Sequence, residues 1–219
     1  MKYESMSHDL RVAKPPAGAL ARIAVVAPAV FFTIMLVLGA VTPGYDAIRR
    51  MGSELSLGRL GWIMIANFIG LGLTEVAWSV ELFRAVGPGF SGRLGAAMVA
   101  LVGAAFLDAG VFVTDPMGAK VTTHGVLHVL AAVVLFFLAF PIGGLALAWR
   151  CRRQRGFAAY SALTAIATPL LLVATFTSGD VQGLMERVLI GVDLAWLTVL
   201  AWRTHRGRFL DSPPKGRSP

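Results

Sequence analysis

The chain has 219 residues, of which 56% are hydrophobic and 15% charged, with a formal net charge of +8 and a single cysteine. A soluble domain carries roughly a quarter charged residues, so this composition excludes an ordinary soluble fold, and one cysteine excludes an internal disulfide. The basic excess sits beside apolar blocks rather than on a polar domain, which speaks for membrane orientation and against a nucleic-acid partner.

Taken in chain order, residues 1–19 read as a cytoplasmic segment and residues 20–203 as a six-helix transmembrane domain. Ile23 to Tyr45 contains no charged side chain, and a span needs about 20 residues of helix. It is too long for the apolar part of a secretory signal and reads as a retained first helix. Between Tyr45 and Leu60, Ile48, Met51 and Leu55 recur at helical spacing, with Asp46, Arg49, Arg50, Ser53 and Glu54 on the other side. The pattern predicts a short amphipathic helix, lying on the outer interface or folded over the bundle as a lid. Asp46 with Arg50 and Arg50 with Glu54 are spaced to pair along it.

The second span, Leu60 to Phe83, carries Glu75 on a stripe with Asn67 and Ser79, and ends at the turn Gly87-Pro88-Gly89. The third, Leu94 to Val113, carries Asp108 near its outer end. The fourth, Val121 to Trp149, opens with His124 and His128, four apart and so on one face. The fifth, Gly156 to Gly179, has a hydroxyl stripe of Ser161, Thr164, Thr168 and Thr175. The sixth, Val188 to Trp202, carries Asp193, seven residues after Glu186. The remainder, 204–219, is rich in Pro and Gly and reads as a disordered cytoplasmic tail. Pro28, Pro141 and Pro169 fall inside spans, and Gly72, Gly95, Gly103, Gly143 and Gly144 permit close helix approach.

Charge fixes the orientation. With the N-terminus inside, fifteen Lys and Arg fall on cytoplasmic segments and five outside. That bias places both ends in the cytoplasm of a cell (inner) membrane, which an even number of spans allows.

A charge at the centre of a membrane helix costs about 2.5–3.5 kcal/mol on insertion scales, so each such residue needs a reason. Asp108, Asp115, His124, His128, Glu186 and Asp193 are placed towards the outer half, and Glu75 deeper. Three readings account for the outer group: a closed structural network, a pocket for a lipid headgroup or small amphiphile, or a metal site. The metal reading rests on His124 and His128 as ligands, and no other cofactor is expected. It would make the chain a lipid hydrolase. Glu75 with the hydroxyl stripe is instead the arrangement of a proton relay in a proton-coupled transporter. Membrane lipids are the expected partners, with a homo-oligomer or a second membrane protein left open.

Three stretches occur in a telling order. They are Pro43-Gly44-Tyr45-Asp46 running into Ser53-Glu54-Leu55-Ser56-Leu57-Gly58, then Phe112-Val113-Thr114-Asp115-Pro116 with His124 and His128, then Gly183-Leu184-Met185-Glu186-Arg187. From about Ile23 to Arg203 the chain resembles the prokaryotic membrane family catalogued as domain of unknown function 998. The resemblance implies a compact helical bundle whose shared polar residues gather at one face: Tyr45, Asp46, Ser53, Glu54, Asp115, His124, His128, Glu186 and Arg187. In layout it is also broadly similar to six-helix proteins of the Frag1/DRAM type. The alkaline ceramidases, a further comparison, use three histidines with an Asp and a Ser; this chain has two outer histidines.

Overall fold

The computed structural model describes residues 18–209. Most of the cytoplasmic segment expected over 1–19, with His8, and residues 210–219 of the expected tail lie outside the described residues. Seven α-helices form among the described residues: α1 (Ala19–Val41), α2 (Gly61–Ala85), α3 (Phe90–Val111), α4 (Thr123–Val133), α5 (Phe140–Arg150), α6 (Arg155–Thr177) and α7 (Gln182–His205). Helices α4 and α5 are one membrane-length unit, Thr123–Arg150, interrupted by the wide turn Val134–Ala139. Its cause is Pro141, which has no N–H for the carbonyl four residues back. The chain widens there, and the Phe140 N–H bonds to the Leu135 carbonyl, five residues earlier.

Five of these units are long and apolar enough to cross a membrane: α1, α2, α3, α4–α5 and α6. At 23 residues, α1 is about 35 Å long against a hydrocarbon core of about 30 Å. Side-chain placement agrees. Ile23, Val26, Val37, Leu73, Leu163 and Leu170 point outward, while Asn67, Glu75, Ser161, Thr168 and Asp193 are buried. An apolar exterior around a polar interior is the arrangement for lipid as solvent, and the chain is a polytopic helical membrane protein.

Each helix turns one stripe inward. On α1 it is Ala21, Ala24, Pro28, Phe31, Met35 and Leu38, at spacings of three and four. Phe31 meets Phe68 and Phe106 edge-on, with ring centroids 5.3 and 5.4 Å apart, and so joins α1 to α2 and α3. Helices α2 and α3 approach most closely where glycine faces glycine. A Cβ on Gly103 would lie 2.7 Å from the Gly72 carbonyl oxygen, and one on Gly72 equally close to that of Gly103.

The segment after α1 departs from the amphipathic helix expected. Pro43 pushes Thr42 into extended backbone and ends the first helix at Val41; Gly44, at φ 72°, turns the chain, and the following residues form turns and one short 3-10 helix, Gly52–Leu57. Gly52, Ser53, Glu54, Leu55 and Ser56 are all buried, so the segment is wedged into one end of the bundle rather than laid on its surface. At the other end, Thr204 and His205 complete α7, and Phe209 is buried against Phe157.

Gly103→Ala places a methyl against a rigid backbone and should destabilise the protein by about 1–3 kcal/mol in thermal unfolding in detergent. Gly70→Ala, on the same pair of helices but with nothing near the added Cβ, should not. Equal effects would remove the glycine contact as the reason for the close approach.

Candidate functional site

The polar residues at the end of the bundle that holds the 45–57 segment are organised around Arg187, in the second turn of α7 and 7% exposed. Its Nη1 donates to the carbonyls of Arg50 (3.0 Å) and Gly183 (2.7 Å), and its Nη2 donates to the Tyr45 hydroxyl (2.6 Å). Tyr45 in turn donates to the carbonyls of Arg50 (3.0 Å) and Met51 (2.8 Å). Burial pushes the Tyr45 phenol above its ordinary pKa, and the Arg187 hydrogen bond opposes that push. The hydroxyl therefore stays a donor at neutral pH.

The loop's own charges close on each other. Arg50 pairs with Glu54 at 3.0 Å, and the other Glu54 oxygen accepts from the Met51 N–H at 3.2 Å. Glu186 accepts a hydrogen bond from the Gly52 N–H, and the Leu184 N–H reaches the Ile48 carbonyl at 2.9 Å. Backbone this close needs glycine. A Cβ on Gly183 would lie 2.2 Å from the Arg50 carbonyl oxygen. The arrangement is a clamp that fixes the 45–57 segment to α7 through both terminal nitrogens of Arg187, with its Nε left without a partner.

The remaining expected residues do not join it. Asp46 is exposed; it accepts from the Ile48 and Arg49 N–H groups and sits 3.8 Å from the Arg49 side chain, in place of the expected Arg50 pairing. Asp115 accepts from the Thr122 N–H at 2.8 Å and hydroxyl at 2.7 Å, while Thr122 caps α4 through the Gly125 N–H at 3.1 Å. The two Thr122 bonds hold the Asp115 carboxyl below its ordinary pKa.

His124 and His128 part company. His124 is exposed and lies edge-on to Phe112, at 5.4 Å. His128 is buried, and its Nδ1 faces the carbonyls of Ala109 (3.2 Å) and Phe112 (2.9 Å). Both partners are acceptors, so Nδ1 carries the proton and ties α4 to the end of α3. Asp108 is half-buried in the last turn of α3, within electrostatic reach of that ring. Among the described residues no three of His, Cys, Asp and Glu gather as a metal-ligand set. Asp193 was expected in the outer half. It sits at mid-helix in α7, where it accepts from the Thr168 hydroxyl at 2.6 Å.

Glu75 has no exposed surface, and neither carboxylate oxygen has a hydrogen-bond partner.

Two features escaped the sequence reading. The rim at the opposite end of the bundle is also tied. Arg203 donates to the Gln154 side chain and lies 4.1 Å from the centre of the Phe157 ring. Arg150 donates to the Val86 carbonyl at 2.9 Å, and Glu81 accepts from the Ala21 N–H at 2.8 Å. The second feature is a groove of about 690 Å³ along the lipid-facing seam of α1 and α2. It runs from Arg22 past Val26, Ala27 and Val30 to Trp62, and Ala66 and Gly70 keep its α2 wall low. A Cβ on Gly70 would meet nothing, so the trough is open there.

Against this geometry stand the comparisons with known proteins. A family model described as "Protein of unknown function (DUF998)" matches residues 25–203. No curated protein and no solved structure matches the chain.

Arg187→Ala leaves the Tyr45 hydroxyl and the carbonyls of Arg50 and Gly183 without their charged donor, and should cost about 1.5–3 kcal/mol of stability in thermal unfolding. Arg49→Ala, at an exposed ion pair, should cost under about 1 kcal/mol. Similar losses would mean that the clamp does not hold the loop.

Because the folded pKa of Asp115 is lowered, its carboxylate stabilises the fold at neutral pH. That contribution is lost as pH falls from the ordinary carboxylate value of 3.8 through the lowered one. Asp115→Asn should therefore be less stable than wild type at pH 7, with the gap narrowing in acid. A gap independent of pH would count against the Thr122 bonds as its source.

Proposed function

The chain belongs to the DUF998 family, and from that premise we propose that it is a lipid-binding protein of the cell membrane, with six spans and both termini in the cytoplasm. Helix α7 is the sixth span in this reading. It is less apolar than the others because Glu186, Arg187 and Asp193 face inward, where the clamp and Thr168 serve them. The bias of positive charge towards the two ends and the even loops supports the orientation.

The observation that carries lipid binding is the α1–α2 groove. Its polar lining is Arg22, Asn67 and Thr74. Asn67 is spent on the Phe31 carbonyl (3.0 Å) and Thr74 on that of Gly70 (2.8 Å). Arg22, exposed at the cytoplasmic end, has no ion-pair partner among the described residues. An apolar trough with one cation at its end matches one kind of molecule: an anionic amphiphile. From Arg22 to Ile34 the trough is about 18 Å long, close to the half-thickness of a bilayer's hydrocarbon core. The occupant is an anionic phospholipid of the inner leaflet, with its phosphate on Arg22 and an acyl chain along the trough. The outer polar cluster, which the sequence offered as a lipid-headgroup pocket, serves here as the lid that closes the bundle above it.

Phosphatidylglycerol added to the detergent-solubilised protein should raise its melting temperature more than phosphatidylcholine does, by about 2.7 kcal/mol of stability at a hundredfold excess over Kd. Arg22→Gln should remove the preference for the anionic lipid, and Gly70→Leu, which fills the trough, should remove the stabilisation. Unchanged responses in both variants would overturn the reading.

A further inference from the structure

We propose that Glu75, with Trp78 one turn further along α2, is a proton-binding site in the middle of the membrane domain, whose proton exchanges with bulk water. The argument starts from how the interior treats its other polar groups. Asn67 donates to the Phe31 carbonyl, Trp196 donates to the Ser161 hydroxyl at 3.0 Å, and Thr168 donates to Asp193. The hydroxyls of Ser79, Thr175 and Thr204 bond carbonyls on their own helices. Polar groups that serve packing are thus mostly built into hydrogen bonds, as the absence of water from lipid demands, with single atoms of Arg187, Asp193, Arg203 and His205 left over.

Glu75 breaks that rule completely. Its two oxygens and the indole Nε1 of Trp78 are buried without a partner, and both residues have no exposed surface. Three orphaned polar atoms on one turn of one helix do nothing for stability, so packing does not explain why an acid is kept there. Their place is central. Glu75 lies about 21 Å along α2 from its outer end and about 15 Å from its inner end.

Charge around the site is as telling as hydrogen bonding. The elements packed against α2 are α1, α3, α7 and the 3-10 helix. Their described charged and titratable groups are Arg22 on α1, Arg93 and Asp108 on α3, Glu54 on the 3-10 helix, and Glu186, Arg187, Asp193, Arg203 and His205 on α7. All but Asp193 lie at helix ends or in the outer loop, and Asp193 is itself an acid. No cation comes to Glu75. A carboxyl group so placed is stable when it carries a proton and unstable when it gives one up, which is what a mid-membrane proton stop requires. Asp193 differs in kind, because Thr168 holds one of its oxygens.

The test is the infrared spectrum of the full-length protein in phosphatidylethanolamine–phosphatidylglycerol vesicles, taken as the difference between wild type and Glu75→Gln. The near-isosteric change removes one carboxyl group and leaves Asp193 to cancel. The difference should contain the carbonyl stretch of a protonated carboxylic acid at neutral pH, and that band should move to lower frequency on transfer to heavy water. Glu75→Asp should keep a displaced version of it, which holds the test open if the Gln variant folds poorly. A missing acid band would overturn the proposal. So would a band that heavy water leaves in place, since that proton would be locked in and structural.

Discussion

The buried guanidinium of Arg187 sets the half of the molecule that holds the 45–57 segment. Lipid offers no hydrogen bonds, so a loop that dips into the bundle must have its carbonyls met from within. Arg187 meets two of them and the Tyr45 hydroxyl as well. The rest follows from that reach. Gly183 and Gly52 must be small because loop and helix touch there, Gly39 lets the Tyr45 ring in, and Glu186 takes the Gly52 N–H. With the loop drawn in, Glu54 is carried below the surface, where Arg50 and the Met51 N–H serve it.

The same logic governs the opposite rim by other means. Arg203 spans from α7 to Gln154 and Phe157, Arg150 to the end of α2, and Glu81 to the start of α1. Both ends of the bundle are therefore tied, and the tied ends are polar. The seam between α1 and α2 is different: its wall is made of small and apolar side chains, and it opens sideways onto the region where hydrocarbon lies. In the proposed reading a molecule reaching that trough arrives laterally, from the bilayer, which argues for a lipid over any water-soluble ligand, independently of the charge on Arg22.

What the sequence disclosed depended on whether one helix or two carried the signal. Apolar runs with at most one or two charges announced the five membrane-length units, because expelling charge from lipid acts on each helix alone. Ends set by contacts were harder. Gln182 to Arg187 has the composition of a loop, yet it is the first turns of α7, since Arg187 and Glu186 find their partners across the bundle. The spacing of Ile48, Met51 and Leu55 read as an amphipathic helix on the surface. That inference assumed polar residues face water, and here Ser53 and Glu54 face inward. His124 and His128 share a face on paper, but only His128 is far enough into α4 to meet the carbonyls of α3. The trough was unreadable because its walls are some forty residues apart in the chain.

The two interior acids show where such a reading stops and what a structure adds. In the sequence, Glu75 and Asp193 are alike: carboxyl groups in the middle of apolar stretches. Ser79 stands four residues from Glu75, as Thr168 stands across from Asp193 in the bundle. Yet the Ser79 hydroxyl turns to the Val76 carbonyl at 2.7 Å, while that of Thr168 turns to Asp193. A hydroxyl on the same helix bonds more readily to its own backbone, whereas one on a neighbouring helix can point across the gap. Proximity in sequence therefore left Glu75 alone, and proximity in space gave Asp193 a partner. Of the two, the acid with the nearer hydroxyl in the chain is the one the fold does not satisfy.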